Sequence, residues 1–364
     1  MEQISIKKNV ITWTIQGKPH ILNLEKIGDC YVKNKHFVRG KQVTPEILDK
    51  MSRIISTCGG EWWLKHLETI KTYKKLGISQ LTKLVQAGSI GEGKYGSVHP
   101  YKNFAVKHVP FKYYDDLPRI DGKFESDMLQ ILEKKLVETN YTPHLIKIYQ
   151  HTQGKNSDFI VMERADTNFF EAITSTDIDE RTVKGILLQV IFTCAVWQRV
   201  LKNFRHNDLK TDNILLFLKP RKKAITLYLG DDYWTLPPDI PFAKIADFDY
   251  ANLPQVHKNP KVGTKHALSF GCGQKGSKVY DIHLLLNSMY NHRENLPTSI
   301  KKWLEKQLPL ATRGNMGKHL KWSRLKSPGD WEKILPSPEK LLQSGFFDEF
   351  RGEKKYPLWG IFQV

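Results

Sequence analysis

The sequence predicts an α+β chain folded as two unequal lobes: a small strand-rich lobe with one helix, then a larger, mainly helical lobe, both behind an N-terminal extension. Three observations predict this. The chain has 364 residues, too many for one small core, since single cores stop growing near roughly 250–300 residues. From Ser89 to Glu163 the texture is short strands and turns around one helical stretch. Beyond Glu163 the apolar residues fall mostly at helical spacing. With 40% hydrophobic and 11% aromatic residues the bulk of the chain is globular. The expected division is 1–85 as an extension packing on the rest, 86–165 as the small lobe, and 166–364 as the large lobe with C-terminal helices.

The first element is a hairpin, NVITWTIQGKPHILNL, which alternates apolar and polar residues around Gly-Lys-Pro. Pro45 to Leu84 then carries helical spacing (Ile47, Leu48, Met51, Ile54, Ile55; Trp62, Trp63, Leu67, Ile70), with Trp62 and Trp63 expected in a core or lobe contact. SIGEGKYGSVHP, YKN and FAVKHV read as strand, turn, strand. A helix is expected at Lys123 to Val137, followed by strands HLIKIYQHT and DFIVME on either side of QGKNS. The lobe boundary falls near Arg164 to Thr167. Helices follow at Glu180 to Val200 and Tyr280 to Met289, with a strand pair around KKAITLYLGDD between them.

Composition narrows the function classes without choosing one. Fifty-six Lys and Arg against 38 Asp and Glu give +18, a field that draws an acidic partner, nucleic acid or an anionic membrane surface. The basic run Lys219 to Lys223 (KPRKK) is read as loop surface. Cys30, Cys58, Cys194 and Cys272 form no CxxC pair, which fits neither a zinc ribbon nor a disulfide framework and suits a reducing, intracellular compartment. MEQISIKKNV has no apolar signal core, and Glu2 does not suit myristoylation. Gly185 to Val200 contains Gln189, Gln198 and Arg199, so it is expected to be a buried helix and not a membrane span.

Chemistry concentrates at four places. GEGKYGSV, Gly91 to Val98, fits G-x-G-x-x-G-x-V. The same glycine spacing opens dinucleotide-binding helices, but here strand residues Ser97-Val98-His99 follow, which suits a hairpin folded over phosphates. Lys107 ends an apolar strand and needs a partner; Glu125 is the first candidate and Glu133 the alternative. In HNDLKTDN, Asp208 can accept a hydroxyl proton, Lys210 can neutralise a transferring phosphoryl group, and Asn213 can offer an amide oxygen to Mg²⁺. Asp247 and Asp249, in ADFD, add carboxylates for a hard cation. His206 reads as a structural residue bonding the loop backbone.

With these residues the chain resembles the eukaryotic-type protein kinase superfamily over roughly Ile90 to Leu304. The resemblance implies ATP and Mg²⁺, with Mn²⁺ as a substitute, and protein substrates. It implies that Gly91, Gly93 and Gly96 cover the ATP phosphates, with Ile90, Val98 and Ala105 lining the nucleotide site. Lys107 would hold the α/β-phosphates and pair with Glu125; Met162 would be the gatekeeper, with Glu163 and Ala165 as hinge contacts to adenine. Asp208 would be the catalytic base, Lys210 the γ-phosphate contact, Asn213 and Asp247 the metal ligands, and Asp281 the brace of the catalytic loop. Thr264 would contact the catalytic aspartate and lysine and favour Ser/Thr acceptors.

The departures are specific. Asn207 stands where many kinases have the arginine that reads a phosphorylated activation loop. Asp249 replaces the glycine of DFG, adding negative charge near a second metal and disfavouring the backbone flip a glycine allows. Ser269-Phe270-Gly271 lies where A-P-E is expected. The interval from Asn213 to Asp247 is unusually long. HNDLKTDNILLF, ADFDYANL and KVGTKH with YDIHLLLNSMY are similar to the poxvirus-type serine/threonine protein kinases of large cytoplasmic DNA viruses. That implies a virus-encoded enzyme of the host cytoplasm, the viral factory and the virion. Two rivals stand beside it: choline- and aminoglycoside-type kinases, which share H-x-D-x-x-x-x-N and D-[FW]-[DE], and a pseudokinase-like basic scaffold that binds nucleic acid.

Overall fold

A computed structural model describes residues 73–351 except 94–95, 115–116, 140, 176, 222–223, 231, 270 and 314–331, together with strands at 4–7, 10–15, 18–23 and 358–363. The expected N-terminal hairpin is present: β1 (Ile4–Lys7), β2 (Val10–Ile15) and β3 (Lys18–Asn23) form an antiparallel sheet in which Ile15 pairs with Lys18. The helical spacing up to residue 72, Trp62 and Trp63 included, lies outside the described residues.

The small lobe is a five-stranded antiparallel sheet ordered β4 (Gly91–Gly93), β5 (Gly96–Tyr101), β6 (Phe104–Pro110), β10 (Ser157–Glu163), β9 (Ile148–Gln153). Its two-residue side-chain period divides two cores. Val106, Phe159 and Val161 pack with Leu76 and with Leu81 of helix α1 (Ile78–Gln86). Ala105, Ile160 and Met162 pack with Met128, Leu129 and Leu132 of helix α2 (Lys123–Leu132). The buried Gln150 amide stitches the end of the extension to β9, accepting from Leu76 N at 2.9 Å and donating to Leu76 O at 2.7 Å. The start of α2 is fixed by Asp158, fully buried, whose carboxylate accepts from Gly122 N at 2.8 Å. A π-helical turn, Glu133–Val137, completes the expected helix. A small hairpin, β7 (Lys112–Tyr114) with β8 (Leu117–Ile120), had no signal in the sequence pattern.

The chain crosses to the large lobe at residues 164–166: β10 ends at Glu163, and β11 (Thr167–Asn168) already pairs with β12 (Ile214–Phe217). Helix α3 (Phe169–Ser175) follows, then α4 (Glu180–Val200), capped by Asp179, whose carboxylate accepts from Thr182 N at 2.9 Å. By length and composition α4 could cross a membrane, but 78% of its most apolar window is buried inside the protein, which makes it the core helix of the lobe. The long interval folds as the hairpin β13 (Ala224–Leu229) and β14 (Asp232–Leu236), with Ile225, Leu227 and Trp234 fully buried. Its return strand β15 (Phe242–Ile245) pairs antiparallel with β12. Among the described residues the helices α5 (Lys265–Ser269), α6 (Tyr280–Asn291), α7 (Thr298–Gln307) and α8 (Pro338–Leu342) follow, and then a last strand, β16 (Leu358–Gln363), which runs parallel to β13. The C-terminal part is therefore not all helices. LWGIFQ carries the β-forming residues Trp, Ile and Phe, but its partner lies more than a hundred residues upstream, and no local pattern reports such a pairing.

Candidate active site

The site is assembled where sheet edges of both lobes meet. The register of β12 on β15 pairs Ile214 with Ile245, and Ala246 N donates to Asn213 O at 2.9 Å. This sets Asn213, just before β12, beside Asp247, just after β15. Lys107 arrives from β6, across β10 from Ile160. Its ammonium lies 2.7 Å from Glu125 Oε2 and 2.8 Å from Asp247 Oδ1. The choice between the two glutamates is thereby made: Glu125 pairs with Lys107, while Glu133 pairs with Lys147. Burial pulls the Lys107 ammonium down, but Asp247 and Glu125 outweigh it and raise it above the usual lysine range. Burial likewise raises Asp247, yet Lys107 overrides this and holds it down to about 2. Glu125, deeper, is pushed up to about 7 by burial, against the opposing pull of Lys107.

The catalytic loop hangs from one carboxylate. Asp281 on α6 accepts from His206 N and Asn207 N, each at 2.9 Å. His206 is fully buried, its Nε2 donating to Ala246 O at 3.1 Å and its Nδ1 accepting from Asp208 N at 3.3 Å. Burial lowers its pKa, so it is a neutral structural group, as its position in the loop predicts. Asn207 adopts φ 65° and Asp247 φ 62°, a region Asn and Asp tolerate better than most residues. The Asn207 amide donates to Tyr250 O at 2.9 Å, bracing the segment after Asp247.

Asp208 stands at the mouth. Lys210 Nζ lies 3.0 Å from its Oδ2, and Asn213 Nδ2 donates to its backbone oxygen at 2.8 Å and to Oδ2 at 3.1 Å. Burial raises the Asp208 carboxyl above the usual range against the pull of Lys210; Lys210 is raised because Asp208 outweighs its own burial. With its NH₂ group committed to Asp208, Asn213 has its amide oxygen for another ligand. Asp247 and Asn213 are hard oxygen donors of the kind Mg²⁺ takes together with substrate phosphates. Among the described residues no cluster of three His, Cys, Asp or Glu forms a metal cage.

The nucleotide side follows the same logic. A Cβ on Gly96 would lie 2.2 Å from His108 O, so the hairpin itself demands glycine there. At Gly91 and Gly93 a Cβ would meet nothing closer than 4.0 and 3.8 Å. Protein packing does not require those glycines, and bare backbone N–H groups at exposed positions suit a close anion such as a phosphate. Val98, Ala105 and Met162 share one apolar cluster with Leu215, while Ile90 is 53% exposed at the edge. The backbone N–H of Glu163 is used by Lys147 O at 3.0 Å, and the Glu163 carboxylate takes the buried Lys244 ammonium at 2.5 Å, tying the crossover to β15. Ala165 lies in the crossover itself.

Two expected residues are placed elsewhere. Asp249 does not present a free carboxylate: Oδ1 is held by the buried Lys261 ammonium at 2.5 Å, and Oδ2 is buried without a hydrogen-bond partner among the described residues. Thr264 is not joined to Asp208 or Lys210. Its hydroxyl donates to Lys261 O at 2.8 Å and accepts from Ala267 N at 3.2 Å, capping α5. A short helix begins at Lys265, and a threonine just before it satisfies an orphan N–H more readily than it reaches across the cleft.

Three residues escaped the sequence reading. Arg205 donates to Gly271 O at 3.0 Å and Lys275 O at 3.1 Å and lies 3.8 Å over the Tyr280 ring, holding the segment that lacks A-P-E. Its one signal in the sequence is its place directly before the His206-Asn207-Asp208 motif. Asn259, fully buried, donates to Asp249 O at 2.8 Å and Ala251 O at 2.9 Å. Lys261 had only its unexplained neighbour Asp249 as a signal.

Comparison with known proteins agrees with this geometry. The protein kinase domain family matches residues 84–268. A protein of Acanthamoeba polyphaga mimivirus named as a serine/threonine-protein kinase is 29% identical over 113 residues, 30% of this chain and 24% of that protein. One of Dictyostelium discoideum, also so named, is 25% identical over 155 residues, covering 41% and 29%. Serine/threonine-protein kinase 2 of fowlpox virus is 21% identical over 231 residues, covering 60% and 48%. The chain thus spans less than half the length of these curated relatives.

Proposed function

We propose, from the premise that this chain belongs to the protein kinase domain family, that it transfers the γ-phosphoryl group of ATP to serine or threonine hydroxyls of proteins. The observation that carries the reading is the ion-pair chain Glu125, Lys107, Asp247 closing over a loop that presents Asp208, Lys210 and Asn213. Such charges are costly to bury, and phosphoryl transfer is the chemistry that uses them together.

Asp208 accepts the hydrogen bond of the acceptor hydroxyl and orients its oxygen for in-line attack, taking the proton as the new O–P bond forms and the bond from the γ-phosphorus to the bridging oxygen breaks, releasing ADP. Lys210, beside that carboxylate, offsets charge on the transferring group, and Lys107, fixed by Glu125, orients the remaining phosphates. Gly91 and Gly93 offer backbone N–H groups to them. Mg²⁺ would be held by Asn213 and Asp247, where it supplies neutralisation of phosphate charge. The Lys261 pair and the non-glycine backbone at Asp249 suit a segment that stays set without an activating phosphate, as does Asn207 in place of an arginine.

Two of the relatives are viral proteins, which supports a virus-encoded enzyme; its work in the host cytoplasm, at sites of particle assembly and in the virion belongs to the same proposal. A small-molecule kinase is the second reading, and Asp249 is the residue that favours it. Its carboxylate is engaged by Lys261, which leaves that reading without a free third acid.

The test offers radiolabelled ATP with Mg²⁺ to the chain alongside a basic protein, an acidic protein and choline. Label on protein Ser/Thr is expected. Label on choline alone would replace the reading with a small-molecule kinase, and ATP binding without transfer would replace it with a scaffold.

A further inference from the structure

Between Asp249 and Asp281 the sequence has no aspartate or glutamate but five lysines, Lys258, Lys261, Lys265, Lys275 and Lys278. Lys261 is neutralised by Asp249. Lys258, Lys265 and Lys275 are exposed, and none forms an ion pair with a described residue. Other exposed lysines also lack an ion partner among the described residues, but this segment is distinguished by having no acid anywhere along it, whereas Lys123 meets Asp127 and Lys184 meets Glu180 within one turn.

The segment lies against the loop that carries Asp208. Arg205, three residues before Asp208, holds Gly271 O and Lys275 O; the Cys272 thiol donates to Asn207 O at 3.6 Å. Gly263 N donates to Cys272 O at 3.1 Å and Gln274 Nε2 to Val262 O at 3.2 Å, closing the segment on itself. Beside Asp208 there is therefore a fixed segment carrying three exposed lysines that have no ion partner among the described residues.

We infer that this surface selects protein acceptors whose Ser or Thr is flanked by acidic side chains. The inference rests on the phosphotransfer reading of the site and names its substrate class. Unpaired like charges attract complementary sequences and reject basic ones, so they act on choice of partner more than on the chemical step.

The test compares kcat/KM for three peptides with one serine core flanked by Glu, Gln or Lys, using the wild-type chain and K258Q/K265Q/K275Q, at low and high salt. The Glu peptide is expected to exceed the Lys peptide by about tenfold or more at low salt. The ratio shrinks as salt screens exposed charge and collapses in the triple variant. Equal use of the three peptides, or a preference that survives the three substitutions, overturns the inference. Fluorescent versions of the same peptides, bound to the Asp208→Asn chain, give a second readout that needs no catalysis. Preferential binding of the Glu peptide, lost in the triple variant, supports the surface, and it would do so even if no acceptor, the chain itself included, were phosphorylated, an outcome that sinks the phosphotransfer reading alone. Single-stranded DNA binding that depends on the three lysines, with no preference for the Glu peptide, would assign the surface to nucleic acid and overturn the inference.

Discussion

The two sides of the cleft treat charge in opposite ways. On the nucleotide side, the Lys107 ammonium lies 2.7 Å from Glu125 and 2.8 Å from Asp247, and the crossover repeats the pattern with Glu163 and Lys244. On the side we infer to meet the acceptor, Lys258, Lys265 and Lys275 are exposed with no carboxylate paired to them among the described residues. Buried charges paired at such distances fix positions, because each would be costly alone. Exposed unpaired charges fix nothing and act on what arrives. The same net charge thus divides into a geometric part and a recognition part.

Breaking the paired side has the largest effect. Lys107→Met leaves Glu125 and Asp247 facing each other, and phosphotransfer is expected to fall about 10²–10³-fold, with a loss of about 3 kcal/mol in unfolding free energy. Steady-state kinetics and urea titration measure both; a variant within threefold of wild type would show that the pairing is incidental. Lys261→Met strands the Asp249 carboxylate and should cost about 3 kcal/mol. Adding Asp249→Gly removes the stranded charge and should recover much of that, giving a coupling energy of about 1–3 kcal/mol. A double variant no more stable than Lys261→Met would mean that the pair does not hold the segment.

Acid sharpens the contrast through two buried histidines. His144 and His283 are each lowered to about 3 by burial. Their native forms stay neutral while the unfolded chain binds protons below about 6.5. Stability is therefore complete above pH 6.5 and lost as pH falls toward 3, by about 1.4 kcal/mol per histidine per pH unit. Urea midpoints that stay level from pH 6.5 to pH 5 would contradict this. At the small end stands an exposed pair, Arg199 with Glu339 at 2.6 Å. Glu339→Gln should change stability by less than about 1 kcal/mol, and a larger loss would blur the distinction between buried and exposed pairs.

Much of this arrangement was legible in the sequence because it is local. The short apolar runs of FAVKHV and DFIVME, rich in β-branched and aromatic residues and bounded by turns, give the strands, and the acids, lysine and amide of HNDLKTDN fall on one loop whose spacing survives folding. α4 begins and ends where its periodicity does. What was not legible depends on residues far apart in the chain. Lys107 could be assigned a glutamate only by ranking two, and β16 gave no hint that it would close the sheet of β13 and β14. Thr264 and Asp249 went elsewhere because nearer partners, the first N–H groups of α5 and the Lys261 ammonium, outcompeted the roles that the family resemblance implies. Arg205 lies beside the catalytic motif, yet its partners are backbone carbonyls some seventy residues on, which have no signature in residue type.

The most direct measurement is transfer of label from γ-labelled ATP to a protein acceptor by the wild-type chain and by Asp208→Asn, with melting temperatures of both taken in parallel. Asp208 touches Lys210 and Asn213 but supports no other element, so the account predicts phosphoserine or phosphothreonine from the wild type, a loss of about 10³-fold in the variant, and melting curves that coincide. Label that persists in Asp208→Asn would contradict the assignment of the loop, and with it the central claim that its buried charges serve phosphoryl transfer.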